Sequence, residues 1–184
     1  LPAVADLARS YGALVIQDAA HSLGTTYEAE GRRYRVGEGA HADLTCLSFH
    51  PVKHITTGEG GAVLTQNEAL YRELVDLRTH GITRDPERMT KVDGPWYYEQ
   101  RALGFNYRIP DINCALGVSQ AKKLPAFVER RRAIATLYDA ALKAPAFEAR
   151  IVPLRVPTGV ASSYHLYVVR IVPRGDESFE TVQR

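Results

Sequence analysis

Residues 1–80 alternate segments of helical periodicity with short runs that are apolar on both faces, an order that few architectures other than an α/β layer structure accommodate. Leu1, Val4, Leu7, Ala8 and Tyr11 follow helical spacing, and Gly12 supplies a left-handed stop. Ala13-Leu14-Val15-Ile16 follows at once, ahead of Asp18, and its lack of alternation predicts a buried parallel strand. Residues 44–49 and 61–65 predict two more strands. The Gly-rich polar stretch between the first two predicts a hairpin around Glu30-Gly31. Asn67 is placed to cap a helix reaching His80, with Leu70, Leu74 and Leu77 on one face and Gly81 as its terminator.

Residues 82–105 show no periodicity, which in a compact domain marks a functional loop or one ordered by contact. Their aromatic cluster, Gly94-Pro95-Trp96-Tyr97-Tyr98, fits equally a loop tucked onto its own domain and a substrate or subunit contact. Asp111 is expected to cap a helix through Ala115, Leu116 and Ser119. Pro125 should break it, before a second helix carrying Phe127, Ile134, Leu137, Tyr138, Ala141 and Leu142. Beyond Pro145, residues 151–156 and 164–172 read as strands, and Asp176 as the N-cap of a further helix. With 184 residues the chain is one domain with a remainder, and both ends read as cuts: Leu1 opens inside a helix and Asp176 starts one.

The composition is that of a globular chain, 45% hydrophobic and 24% charged, which argues against disorder. A net charge of +2 leaves no basic footprint for nucleic acid; only Arg130-Arg131-Arg132 cluster, on a predicted helix. No apolar run is long enough for a membrane span. Cys46 and Cys114, far apart, read as reduced thiols in a cytoplasmic protein.

Two positions carry candidate chemistry. Asp18 follows a predicted buried strand, where α/β sheets place ligand-binding groups, although a turn residue is the commoner use of such an aspartate. Lys53 lies in a non-helical loop between strands, five residues after Ser48 and just before Gly58-Glu59-Gly60-Gly61. Most lysines sit on solvated faces, but an amine held in such a loop can be desolvated enough for Schiff-base chemistry. A metal site built from Asp18, His21, His41, Asp43, His50 and His54 is disfavoured, because Pro51 breaks any helix that would pair His50 with His54. No G-x-S-x-G elbow supports a serine hydrolase.

Four motifs in order, Asp18-Ala19-Ala20-His21-Ser22-Leu23-Gly24, Ser48-Phe49-His50-Pro51-Val52-Lys53, Gly58-Glu59-Gly60-Gly61-Ala62-Val63 and Gly104-Phe105-Asn106-Tyr107-Arg108, resemble the nucleotide-sugar aminotransferases (DegT/StrS-like) of PLP fold type I. The resemblance covers essentially the whole chain, as roughly the middle half of a family member. It implies a three-layer α/β/α large domain, represented by residues 1–130, and the linker helix and first strands of a small α+β domain, residues 131–184. His80–Asp85 and Gly94–Gln100 most resemble the branch of pseudaminic acid biosynthesis, which moves an amino group from L-glutamate to C4 of a UDP-linked 4-keto-6-deoxy amino sugar.

By resemblance, Lys53 holds pyridoxal 5'-phosphate as a Schiff base and shuttles the proton, and Asp18 keeps the pyridine nitrogen protonated. Ser48 matches a hydroxyl on the cofactor phosphate. Asn106 matches an asparagine that reaches the cofactor phosphate of a neighbouring subunit, which implies a homodimer with shared active sites. His21 stands where many relatives carry Gln near the ring oxygen. Arg108 can grip a phosphate or the donor carboxylate, or make a surface pair. Glu59 reads as structural. The competing function is a PLP fold kept as a non-catalytic regulatory or binding module, against which the retained Lys53 argues.

Overall fold

The computed structural model describes residues 1–147, 150–173 and 175; the helix start expected at Asp176 lies outside the described residues. Helix α1 (Pro2–Ser10) ends where expected: Gly12 has φ of +64° and Ala13 N–H returns to the Ala8 carbonyl at 2.9 Å. Strand β1 (Ile16–Asp18) begins three residues later than the apolar run predicts. Val15 is drawn in as a lead-in instead: its N–H donates to Asp43 Oδ2 at 2.7 Å and its carbonyl accepts from Leu44 N–H at 3.2 Å. Nor is the strand buried, since it is an edge, with Leu14 and Ile16 both exposed.

The hairpin around Glu30-Gly31 forms as β2 (Thr26–Ala29) and β3 (Arg32–Arg35), with Glu30 and Gly31 both at positive φ. Strand β4 (Leu44–Ser48) runs parallel to β1, in register Asp18 with Cys46, and antiparallel to β5 (Gly61–Leu64), in register Ser48 with Gly61. Helix α2 (Glu68–Leu77) starts at Asn67, whose side chain accepts from the N–H groups of Ala69 and Leu70.

The long irregular stretch is tied by two-residue strands β6 (Ile82–Thr83) and β7 (Glu99–Gln100), with a 3-10 turn at Pro86–Arg88. Glu99 organises it. Its carboxylate accepts from Thr90 N–H at 2.9 Å and Oγ1 at 2.5 Å, from Tyr97 O–H at 3.2 Å and from Arg101 at 3.1 Å. Those donors, the Thr90 hydroxyl foremost, hold its pKa down at about 2. Trp96 stays exposed.

Helix α3 (Asp111–Ala121) has Pro110 rather than Asp111 at its N-cap; Asp111 is its first helical residue, where its charge faces the positive end of the dipole. Helix α4 (Leu124–Ala141) places Pro125 in its first turn. It buries Val128 and Ala135, while Leu137 and Tyr138 of the expected face are exposed. Strands β8 (Ile151–Pro153), β9 (Val160–Ala161) and β10 (Val169–Ile171) follow. β8 pairs antiparallel with β10, and β9, which the sequence does not announce, pairs antiparallel with β2. That last pairing brings a late segment of the chain back beside the turn that follows Asp18.

Candidate active site

Asp18 is the last residue of β1 and Ser48 the last of β4, so both lie at the carboxyl ends of adjacent parallel strands, the edge at which α/β sheets bind ligands. Lys53 enters from the loop beyond β4. That loop turns back on itself: Lys53 N–H donates to the His50 carbonyl and Thr57 N–H to the Phe49 carbonyl. Gly58 and Gly60 take positive φ, and Thr57 Oγ1 donates to the Glu59 carbonyl at 2.7 Å, while the Glu59 side chain points to solvent, consistent with a turn-forming role.

Lys53 is half-buried, and among the described residues its Nζ has neither a hydrogen-bond partner nor a carboxylate partner. Asp18 is exposed; Oδ1 accepts from Ala20 N–H at 3.0 Å, which leaves Oδ2 free. Ser48 Oγ accepts only a long bond from His50 N–H at 3.4 Å. A half-free carboxylate and a lightly engaged hydroxyl therefore end adjacent parallel strands, and an unpaired amine stands in the loop that continues from one of them. This donor set suits an anionic aldehyde cofactor with a ring nitrogen: an amine for the aldehyde, a carboxylate for the protonated nitrogen, a hydroxyl for the phosphate.

His21, in the turn after Asp18, joins this group through a residue from the far end of the chain. Its ring lies 4.3 Å from that of His165, which in turn lies 5.4 Å from that of His54. His54 is buried, and burial first, then the Arg131 guanidinium and His165, push its pKa down to about 4. His165 is also lowered, by burial and then by the charges of His21, Lys53 and Arg131. Both nitrogens of His54 and Nδ1 of His165 are buried without hydrogen-bond partners.

Asn106 and Arg108 stand on a separate segment, whose next residue, Ile109, packs against Gly60 of the lysine loop. Their segment is anchored to the end of α2, with Phe105 N–H on the Leu77 carbonyl, Tyr107 N–H on the Arg78 carbonyl and Asn106 bridged to Thr79, and both side chains are exposed. His50 and His54 do not act as a pair, one being exposed and the other buried, and among the described residues no group of three acidic, histidine or cysteine side chains is arranged to hold a metal.

Sequence reasoning did not find His165, Arg131 or Arg132 as parts of the site. A polar residue within the strand-like run 164–172 was the one available signal for His165. Of the Arg130-Arg131-Arg132 cluster, the latter two turn inward as donors to backbone carbonyls.

The profile of the DegT/DnrJ/EryC1/StrS aminotransferase family matches residues 1–184. A UDP-4-amino-4,6-dideoxy-N-acetyl-beta-L-altrosamine transaminase of Campylobacter jejuni is 39% identical over 184 residues, covering 97% of this chain and 44% of that protein. Helicobacter pylori PseC, an aminotransferase involved in pseudaminic acid biosynthesis, superposes with a TM-score of 0.76 at 30% identity, over 92% of this chain and 41% of PseC. The PLP form of the sugar aminotransferase Spr1654 of Streptococcus pneumoniae superposes at 0.69 with 31% identity, over 90% of this chain and 39% of Spr1654. The chain thus spans less than half the length of the relatives it matches.

Proposed function

The chain belongs to the DegT/DnrJ/EryC1/StrS aminotransferase family, and from that we propose that the protein containing it is a pyridoxal-phosphate-dependent aminotransferase acting on a nucleotide-linked keto sugar. Its fold is that of the PLP-dependent transferases of fold type I. The observation that carries the reading is the half-buried Lys53, without a hydrogen-bond or ion-pair partner among the described residues, in the loop that leaves the sheet edge where Asp18 and Ser48 end adjacent parallel strands.

Pyridoxal phosphate, when bound, supplies an electron sink for the carbon that loses its proton. Lys53 Nζ would hold the cofactor and afterwards carry the proton between carbon atoms. Asp18 would keep the ring nitrogen protonated through its free Oδ2. Ser48 Oγ would bind the phosphate, and His21 would lie beside the ring. The substrates we assign are L-glutamate and a UDP-linked 4-keto-6-deoxy amino sugar; the 39% identity to the Campylobacter transaminase supports this choice.

The exposure of Asn106, on a segment tied to the end of α2, fits a role at the partner subunit's cofactor in a homodimer, and the exposed Arg108 fits a substrate anion. Residues 1–130 would belong to the large domain and 131–184 open the small one. The free thiols of Cys46 and Cys114 suit the cytoplasm.

Borohydride reduction of the full-length, cofactor-loaded protein, followed by peptide mapping, tests the assignment. A pyridoxyl label is expected on Lys53; a label elsewhere, or none, overturns it. Addition of L-glutamate should yield one equivalent of 2-oxoglutarate per loaded site, and its failure to do so would favour a non-catalytic binding module.

A further inference from the structure

The segment Ala161–His165 is held far more firmly than a connection between short strands needs. Arg132 donates through Nε to the Ser162 carbonyl at 2.8 Å and through Nη2 to the Ala161 carbonyl at 2.9 Å and the Gly24 carbonyl at 3.3 Å. Ser163, fully buried, shares a hydroxyl contact of 2.9 Å with Thr25, whose Oγ1 also accepts from Ser163 N–H at 3.0 Å. Tyr164 adopts a φ of +46°, a left-handed conformation that a non-glycine residue keeps only where its surroundings over-determine it. Its N–H donates to Ser162 Oγ at 3.1 Å. Arg131 Nη1 then reaches both the Tyr164 and the His165 carbonyls, each at 3.1 Å.

The result is a half-buried imidazole of defined orientation, with its Nδ1 atom out of reach of solvent. His165 stands between His21 and His54; neither its Nδ1 nor a nitrogen of His54 makes a regular hydrogen bond, and the backbone group that favours a proton on His54 is that of Ser163, itself part of the held segment. Leaving such atoms unpaired is unfavourable. The orientation must therefore come from the backbone, and the backbone is held by α4.

We propose that Arg131 is a positioning residue for the Lys53 site: by gripping the carbonyls of Tyr164 and His165 it sets the His165 ring against His21, and through His21 orders the turn that follows Asp18. The proposal rests on the reading of Lys53 as the cofactor lysine for its catalytic consequence, but not for its packing.

Arg131 has a second effect. The charged and titratable groups facing His165 and His54 are Arg131 on α4, Lys53 in the loop beyond β4 and His21 in the turn beyond β1. Each of them disfavours a proton on His54 or His165. Lysine in place of Arg131 preserves the charge but, as a point donor on a flexible stem, does not reproduce the grip on two carbonyls.

The two roles separate in the full-length protein with Arg131→Gln and Arg131→Lys. Carbethoxylation by diethylpyrocarbonate, read residue by residue by mass spectrometry, should accelerate at His165 by about tenfold in Arg131→Gln, with or without cofactor. In Arg131→Lys the rate at His165 should also rise, while the pH midpoint of hydrogen exchange at the His54 ring stays low. In Arg131→Gln that midpoint should move up. With cofactor, kcat for L-glutamate should fall more than KM rises.

A His165 rate equal to the wild type in a folded Arg131→Gln protein overturns the proposal. If Arg131→Gln does not fold, a wild-type His165 rate in Arg131→Lys overturns it equally. A raised His165 rate without any borohydride label on Lys53 supports the packing assignment and overturns the cofactor reading instead.

Discussion

The ring of His165 lies 4.3 Å from that of His21, tilted by 49°, although the two residues belong to opposite ends of the chain. The contact exists because β9 pairs with β2 and because Arg131 and Arg132 fasten the following residues to α4. A site whose catalytic candidates lie within 36 residues of sequence, Asp18 to Lys53, is thus completed by a segment more than a hundred residues later.

Asp18→Asn removes the charge that would keep a ring nitrogen protonated, but leaves an amide that still accepts from Ala20 N–H. In the full-length protein this variant should still take a pyridoxyl label on Lys53, while turnover of L-glutamate falls about 10²- to 10⁴-fold. Turnover within tenfold of the wild type would remove Asp18 from the assigned role.

His54 makes stability depend on pH. Its pKa is about 4 in the folded chain, against an ordinary value near 6.5, so between those values the unfolded chain binds the proton and the folded chain does not. Stability therefore rises with pH across that window and is lost as pH falls from about 6.5 through 4, by about 3 kcal/mol at most if the whole shift is realised. The melting temperature of the full-length protein should drop between pH 6.5 and 4.5, and the drop should shrink in His54→Asn. Parallel curves for the two proteins would show that His54 is not the group responsible.

What the sequence revealed of the fold was mostly local. Asn67, Gly12 and the Glu30-Gly31 turn are recognisable because each satisfies a nearby backbone requirement: a cap, a left-handed stop, a hairpin reversal. The position of β1 was misread because apolar character does not say where a ladder begins; Asp43, capturing Val15 N–H from across the sheet, does. Helix α4 is a related case. Its buried positions, Val128 and Ala135, are small residues under close packing, whereas the larger Leu137 and Tyr138 that dominated the periodicity are exposed. In the site, Asp18, Ser48 and Lys53 were legible because strand ends and loops place them in order. His165 and Arg131 were not, since nothing in their neighbours announces a contact made across a hundred residues.

The Glu99 carboxylate should decide whether residues 90–101 hold their shape. It gathers the Thr90 amide and hydroxyl, Tyr97 O–H and Arg101. A depressed carboxylate contributes stability above its ordinary titration range and loses it as pH falls toward about 2, so the segment should be secure at neutral pH. Glu99→Gln replaces one accepting oxygen by a donor that faces the Thr90 N–H. Limited proteolysis at pH 7 should then cut near Lys91 or Trp96 several times faster, with Tm little changed. Unchanged cleavage would mean that the β6 and β7 pairing alone holds the segment.

Gly81 offers the sharpest test of packing. Its φ is +69°, and a Cβ there would stand 2.0 Å from the Ala102 carbonyl oxygen and 2.7 Å from its carbon, both backbone atoms that a side-chain rotation cannot move aside. Arg101 N–H donates to the Gly81 carbonyl at 2.8 Å, so the two strands cannot part without losing the bond that closes the stretch. Gly81→Ala should therefore lower the stability of the full-length protein by about 2 kcal/mol or more, from backbone strain and overpacking together. Gly31→Ala, at φ of +71° but with open space around it, carries the strain without the clash and should cost only about 1 kcal/mol. Urea midpoints measured side by side separate the two contributions, and equal losses would show that the close approach at Ala102 relaxes freely.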